Sequence, residues 1–137
     1  MVQTGGHIEV RGARPCILLV EDEKSLAALI ERYLVRCGYL VASGETAAEG
    51  WAKFQEWGAE CALAIVDLTL PDMPGEEIAR RMLASNPSLR VILSSGSPGV
   101  GDLGKRCTFL QKPFLPKALV DAVEAALKPS GHAATDV

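Results

Sequence analysis

The chain has 137 residues, of which 48% are hydrophobic and 23% are charged, so its size and composition suit one globular domain with a substantial core. Its net charge is −3 and its 14 Lys and Arg residues form no cluster, which argues against a nucleic-acid partner. Because no apolar run approaches the roughly 18 residues of a membrane span and the first residues lack the apolar core of a signal peptide, we expect a cytoplasmic protein without membrane contact.

Both ends of the chain are rich in small and polar residues. We therefore expect flexible tails over residues 1–14 and 129–137 and a single domain over residues 15–128. The four cysteines lie far apart without a CxxC pair, so a zinc site is disfavoured and we expect buried, reduced thiols at Cys16, Cys37, Cys61 and Cys107.

Between the tails, short apolar runs alternate with amphipathic segments. In chain order, the pattern predicts a strand over 16–20, a helix over 24–37, a strand over 39–42, a helix over 45–57, a strand over 62–66, a helix over 75–84, a strand starting at 91–93, a strand over 108–111 and a helix over 116–128. Strands that are apolar on both faces belong to a parallel sheet covered by helices on both sides. The predicted fold is therefore an α/β domain with a five-stranded, doubly wound parallel sheet.

The connection between the fourth and fifth predicted strands is unusual. Residues 96–107 read GSPGVGDLGKRC and contain four glycines and a proline, which together oppose a helix by roughly 7 kcal/mol relative to alanine. We expect a shortened or disordered fourth helix here. The match to GxGxxG at 99–104 neither follows the first strand nor opens a long helix, so a dinucleotide site is disfavoured.

Polar side chains follow the predicted strands on the edge where such sheets bind ligands. They are Glu21 and Asp22 after the first strand, Asp67 after the third, Ser94 and Ser95 at the end of the fourth, and Lys112 after the fifth. An acid in this position often serves only as an N-cap, and Asp22 is explained equally well in that way. Three carboxylates about 4 Å apart would repel one another by roughly 4 kcal/mol per pair at an effective dielectric near 20, however, so a divalent cation and the lysine are expected to neutralise them.

Four segments together resemble the receiver domain of two-component response regulators, which has a flavodoxin-like fold. They are ILLVEDE at 17–23, AIVDLTLPDMPG at 64–75, VILSSG at 91–96 and FLQKPF at 109–114, and the resemblance covers about residues 15–128. It implies that Asp67 is the phosphoacceptor and that the domain binds Mg²⁺, or Mn²⁺ in its place. The metal ligands that it implies are Glu21, Asp22, Asp67 and the backbone carbonyl of Thr69.

The resemblance also implies residues that respond to the phosphoryl group. Lys112, followed by a proline that is usually cis in the family, would contact the phosphoryl group. Ser95 would bind a phosphoryl oxygen through its hydroxyl, with Ser94 as the alternative, and Phe109 would be the aromatic that swings inward on activation. Glu21 stands where many members have Asp, so its longer side chain is expected to reach the metal through water.

By this resemblance the protein is a signalling domain of a phosphorelay rather than an enzyme, and its partner is a histidine kinase or a histidine phosphotransfer protein. The SSG and FLQKPF segments are similar to receivers of hybrid sensor histidine kinases, and a single-domain response regulator is the other setting. Two alternatives stay open: a receiver-like docking module without phosphorylation, and an aspartate-nucleophile phosphatase, although such phosphatases need an acid where Thr69 stands. Since the fourth helix supplies part of the usual dimer surface, we expect a monomer.

Overall fold

The computed structural model describes residues 14–97 and 103–128. Its strands are β1 (Cys16–Val20), β2 (Leu40–Gly44), β3 (Cys61–Asp67), β4 (Arg90–Ser95) and β5 (Cys107–Gln111). Its helices are α1 (Lys24–Arg36), α2 (Ala47–Trp57), α3 (Gly75–Ser85) and α4 (Pro116–Leu127), with a 3₁₀ turn at Gly58–Glu60. The predicted tails lie outside the described residues except for Arg14.

All five strands are parallel and follow the order β2-β1-β3-β4-β5, which confirms the predicted doubly wound sheet. The side chains of β1, β3 and β4 are almost all buried, because helices cover both faces of these central strands. One apolar cluster lies beneath α2 and α3, and its members include Val66, Phe54 and Met82. The other lies beneath α1 and α4 and includes Ile65 and Leu34.

The described part of the connection between β4 and β5 contains no helix. Residues 96–97 form a bend, residues 103–104 are irregular and residues 105–106 form a turn, as the glycine content predicts, and Gly104 has a φ of +95° that favours glycine. Residues 98–102 of this connection, and most of the GxGxxG match, lie outside the described residues.

The cysteines form no disulfide among the described residues, which include all four. Cys16 and Cys61 are buried, and burial raises the pKa of the Cys61 thiol to about 12, so this thiol is protonated and unreactive. The expectation of burial is wrong for Cys37, which is exposed because it caps the carboxyl end of α1 outside the apolar stripe of that helix. Cys107 is half-buried.

Arg106 fastens the turn before β5 to the carboxyl end of α3. Its guanidinium donates hydrogen bonds to four carbonyl oxygens, those of Leu83, Asn86, Pro87 and Leu89, at 2.9 to 3.3 Å. The last carbonyls of a helix lack partners within the helix, so a planar, five-donor side chain is well suited to satisfy several at once.

We predict that Arg106→Met lowers the free energy of unfolding by about 2 kcal/mol, because methionine keeps the apolar stem and leaves several carbonyls without their donor. Urea denaturation followed by circular dichroism measures this change. Lys105→Met is the matched control, since the neighbouring Lys105 is exposed and should contribute little. Equal losses for the two variants would contradict the assignment.

Candidate functional site

The carboxyl edge of the sheet brings together the acidic residues and the lysine singled out from the sequence. Carboxylate oxygens of Glu21, Asp22 and Asp67 lie within 4.8 Å of one another. The Nζ atom of Lys112 is 2.9 Å from Oε1 of Glu21 and 3.6 Å from Oδ1 of Asp67. Because β1 and β3 are neighbours in the sheet, residues 46 positions apart in sequence form one cluster.

The cluster carries more negative than positive charge. Three carboxylates and one ammonium leave two uncompensated negative charges. All donor atoms are oxygens, and Asp22 is exposed while Glu21 and Asp67 are buried, so one side of the cluster is open to solvent. These features fit a hard divalent cation that takes carboxylate oxygens and keeps several waters.

The carboxyl group of Asp67 is strongly perturbed. Burial is the largest cause and raises its pKa to about 6, and the nearby charge of Glu21 acts in the same direction. The Thr69 N–H, which donates to Oδ1 at 3.1 Å, and the Lys112 ammonium partly offset this increase. The folded protein therefore holds Asp67 in a place where its negative charge is costly.

The lysine shows the opposite effect. Burial alone would lower the pKa of Lys112, but its hydrogen bond to Glu21 and the charges of Glu21 and Asp67 outweigh burial and raise it. Lys112 is therefore a permanent cation at the site. Its peptide bond to Pro113 is cis, as the resemblance implies, and its N–H donates to the carbonyl of Ser95 at 2.8 Å.

Glu21 and Asp22 differ in their surroundings. The two carboxylate oxygens of Glu21 are both engaged, one by Lys112 and the other by the N–H of Glu23 at 3.1 Å. Glu23, without a side-chain cap bond, occupies the N-cap position of α1, so the N-cap explanation of Asp22 is wrong. Asp22 lies in the bend two residues before Lys24, and its side chain is exposed to solvent, where a ligand can reach it.

The first residue of α3 packs closely against the backbone of Asp67. The amide of Gly75, the first residue of α3, donates to the carbonyl of Leu68 at 2.9 Å, and a Cβ at position 75 would overlap the carbonyl oxygen of Asp67. Only glycine permits this approach. Thr69 is exposed on the same loop, and a role for its carbonyl in metal binding stays a prediction.

Ser94 and Ser95 lie on opposite faces of the sheet. Ser95 follows Leu93 on the face of α2 and α3, where Phe109 is also packed, half-buried, in register with Leu93. The Ser95 hydroxyl accepts a hydrogen bond from the N–H of Ser97 at 3.0 Å, whereas the buried hydroxyl of Ser94 has no partner in the described structure. Ser95, unlike Ser94, therefore shares a face with Phe109, and the switch role of either serine stays a prediction.

The sequence pattern does not single out one residue near the site. Asp72, in the loop after Asp67, accepts hydrogen bonds from the amides of Ala47 and Ala48 at the start of α2. A Pro-Asp pair in a turn is a weak signal by itself, and partners 24 and 25 residues away cannot be read from it.

The electrostatics of Asp67 lead to a prediction for the metal-free protein. Asp67→Asn removes the disfavoured charge and keeps an oxygen for the Thr69 N–H, so it should stabilise the fold. A rise in pKa from 3.8 to about 6 would correspond to roughly 3 kcal/mol for a carboxylate shielded from water, and solvent at the open side of the cluster reduces the expected gain to about 1–2 kcal/mol, present in full only above the folded-state pKa. In urea denaturation with EDTA, the gain should be largest at pH 8 and decline as pH falls from 6 towards 3.8. Asp121→Asn, at an exposed carboxylate, should show no such gain.

Known proteins share the sequence and the fold. The response regulator receiver domain model matches residues 17–124. The chain is 29% identical over 116 residues to the response regulator receiver protein CpdR of Brucella abortus (strain 2308), covering 81% of this chain and 95% of that protein. It is also 29% identical over 121 residues to the sensor kinase CckA of the same organism, covering 82% of this chain and 12% of the kinase.

Among solved structures, a CheY-like response regulator receiver domain protein from Methanospirillum hungatei JF-1 superimposes with a TM-score of 0.75 at 27% identity, over 83% of this chain and 94% of that one. The chain spans about half the length of the curated transcriptional regulators that it matches. None of the described helices is long and apolar enough to cross a membrane. The family match, the shared fold and the acidic cluster agree, and the chain belongs to the response regulator receiver domain family, a family of signalling domains.

Proposed function

We propose that this domain takes a phosphoryl group from a phosphohistidine onto Asp67 and changes conformation in response. The observation that carries the proposal is the cluster of Glu21, Asp22 and Asp67 within 4.8 Å, with the Lys112 ammonium beside two of them. Family membership favours this function over the aspartate-nucleophile phosphatase considered from the sequence.

The transfer needs a nucleophile in line with the bond that breaks. A carboxylate oxygen of Asp67 forms the bond to phosphorus while the P–N bond of the phosphohistidine breaks. The electron pair of that bond stays on the imidazole nitrogen, which takes up a proton from solvent. Water later attacks phosphorus, releases inorganic phosphate and restores the carboxylate, so the domain returns to its starting state.

The side chains around Asp67 suit this chemistry. Mg²⁺, or Mn²⁺ in its place, would be held by Asp22, Asp67 and the Thr69 carbonyl, with Glu21 acting through water, and would supply positive charge for the phosphoryl oxygens. Lys112 offers an ammonium to the same oxygens, since it already lies 3.6 Å from Oδ1 of Asp67. The Ser95 hydroxyl would donate to a phosphoryl oxygen, because the bond that it accepts from the Ser97 N–H leaves its own hydrogen available.

The conformational response would pass along one face of the sheet. Ser95 and Phe109 both lie on the face of α2 and α3, on neighbouring strands. Phe109 is only half-buried, so a change of its position when Ser95 moves would bury more of its ring. We propose that this pair is the switch.

The phosphoryl donor decides in which kind of protein the domain works. A histidine kinase or a histidine phosphotransfer protein would supply the phosphoryl group, either to a stand-alone response regulator or to a receiver joined to a hybrid kinase. On this proposal the domain works in the cytoplasm, where reducing conditions keep thiols such as these four cysteines unpaired by disulfides. It acts as a monomer without nucleic-acid contact, and residues 15–128 form the receiver domain.

We predict that the chain acquires one phosphoryl group from acetyl phosphate or a phosphorylated histidine kinase, and only when Mg²⁺ or Mn²⁺ is present. Intact-protein mass spectrometry measures the added group, and EDTA should prevent its addition. Asp67→Asn should abolish labelling, whereas the control Asp121→Asn should be labelled like the wild type. Stoichiometric labelling of Asp67→Asn would contradict the assignment of Asp67 as phosphoacceptor. A wild type that is not labelled would favour the alternative of a receiver-like docking module without phosphorylation.

A second prediction separates the two acids after β1. Asp22→Asn should cost most of the Mg²⁺ affinity, because this exposed carboxylate is available to the ion. Glu21→Gln should cost less, because both Glu21 oxygens are already bound to Lys112 and to the Glu23 amide. Calorimetric titration with MgCl₂ gives both affinities.

Glu23→Gln is the control for this comparison, since it removes one negative charge beside the site from a residue outside the cluster. It should change the affinity least. Equal losses for Asp22→Asn and Glu21→Gln would contradict an indirect role for Glu21.

A further inference from the structure

Asp72 makes a long-range contact that the phosphoryl-transfer chemistry does not use. It lies in the loop between Asp67 and α3. Its Oδ1 accepts a hydrogen bond from the N–H of Ala47 at 2.8 Å, and its Oδ2 accepts one from the N–H of Ala48 at 3.0 Å. These bonds also lower the pKa of Asp72, so its carboxylate is ionised at neutral pH.

Local capping of α2 is already provided by another residue. Thr46 is the N-cap, and its hydroxyl accepts from the N–H of Glu49 at 3.0 Å. The first two amides of the helix, on Ala47 and Ala48, have no acceptor within the helix itself. Asp72 differs from an ordinary N-cap residue, because its hydrogen bonds connect the loop after Asp67 to the start of α2.

The start of α2 is in turn connected to the other half of the acidic cluster. Gly44, which ends β2 just before α2, accepts a hydrogen bond from the N–H of Glu21 at 3.0 Å. A Cβ on Gly44 would lie 2.9 Å from the backbone nitrogen of Gly50, so strand end and helix are in close contact. A chain of contacts thus runs from Asp72 through α2 and Gly44 to Glu21.

We propose that Asp72 is a positioning residue for the metal-binding carboxylates: it links the loop that follows Asp67 to the loop that carries Glu21 and Asp22. The repulsion among these carboxylates pushes the two loops apart, and Asp72 opposes that separation from the surface without touching the ion. The proposal rests on the proposed function, because it assumes that the cluster binds Mg²⁺.

The experiment compares Asp72→Ala with Thr46→Ala. Both variants remove hydrogen bonds from the start of α2, but only Asp72→Ala releases the loop. Titration with MgCl₂ should show about tenfold weaker binding for Asp72→Ala, the lower end of what outer-shell partners of metal ligands cost. Asp72→Asn, which keeps one carbonyl oxygen, should fall between Asp72→Ala and the wild type, and Thr46→Ala should bind like the wild type.

Amide hydrogen exchange of the metal-free proteins provides a second readout. The amides of Thr69 and Gly75 donate within the loop, to Oδ1 of Asp67 and to the carbonyl of Leu68. Both should exchange faster in Asp72→Ala and at the wild-type rate in Thr46→Ala.

The outcomes separate this inference from the proposed function. Unchanged exchange in Asp72→Ala, or an equal loss of Mg²⁺ affinity in Thr46→Ala, would overturn the positioning role. A wild type that does not bind Mg²⁺ would refute the proposed function, while the exchange measurement would still decide whether Asp72 restrains the loop.

Discussion

The main constraint on this structure is the mutual repulsion of three carboxylates that lie beside one lysine. Glu21, Asp22 and Asp67 come from the ends of two neighbouring strands, and Lys112 follows a third. A fold that places like charges within 4.8 Å must supply the necessary stability elsewhere. Here it comes from strands buried on both faces and from backbone contacts around the site, such as that of Gly75 with Asp67.

The sheet order explains why the site forms where it does. The chain passes from β1 to β2 on one side and from β3 to β4 on the other, so α1 and α3 leave the adjacent ends of β1 and β3 towards opposite faces of the sheet. A crevice opens at such a point, and parallel α/β sheets bind their ligands there. The acidic cluster lies at this crevice, with buried members next to the sheet and Asp22 towards solvent.

The two ends of the sheet are stabilised in different ways. At the amino end of β5, Arg106 satisfies four carbonyls of α3 and of the loop that follows it. At the carboxyl end, the hydroxyl of Ser94 is buried without a partner in the described structure, and the carboxylate of Asp67 carries a raised pKa. Imperfectly satisfied polar groups therefore concentrate where the chemistry is proposed, as is common at functional sites.

Local sequence determined the elements and the end of the sheet at which the site lies. Apolar runs of strand length and amphipathic segments of helix length specify the α/β alternation, and acids directly after strands, such as Asp67, must emerge at the carboxyl edge. Only the tertiary structure decided which groups meet. The exposure of Cys37, the shared face of Ser95 with Phe109, and the bonds of Asp72 to α2 depend on helix packing and strand register. Contacts between residues far apart in the chain leave no periodic pattern, and so the sequence by itself could not reveal them.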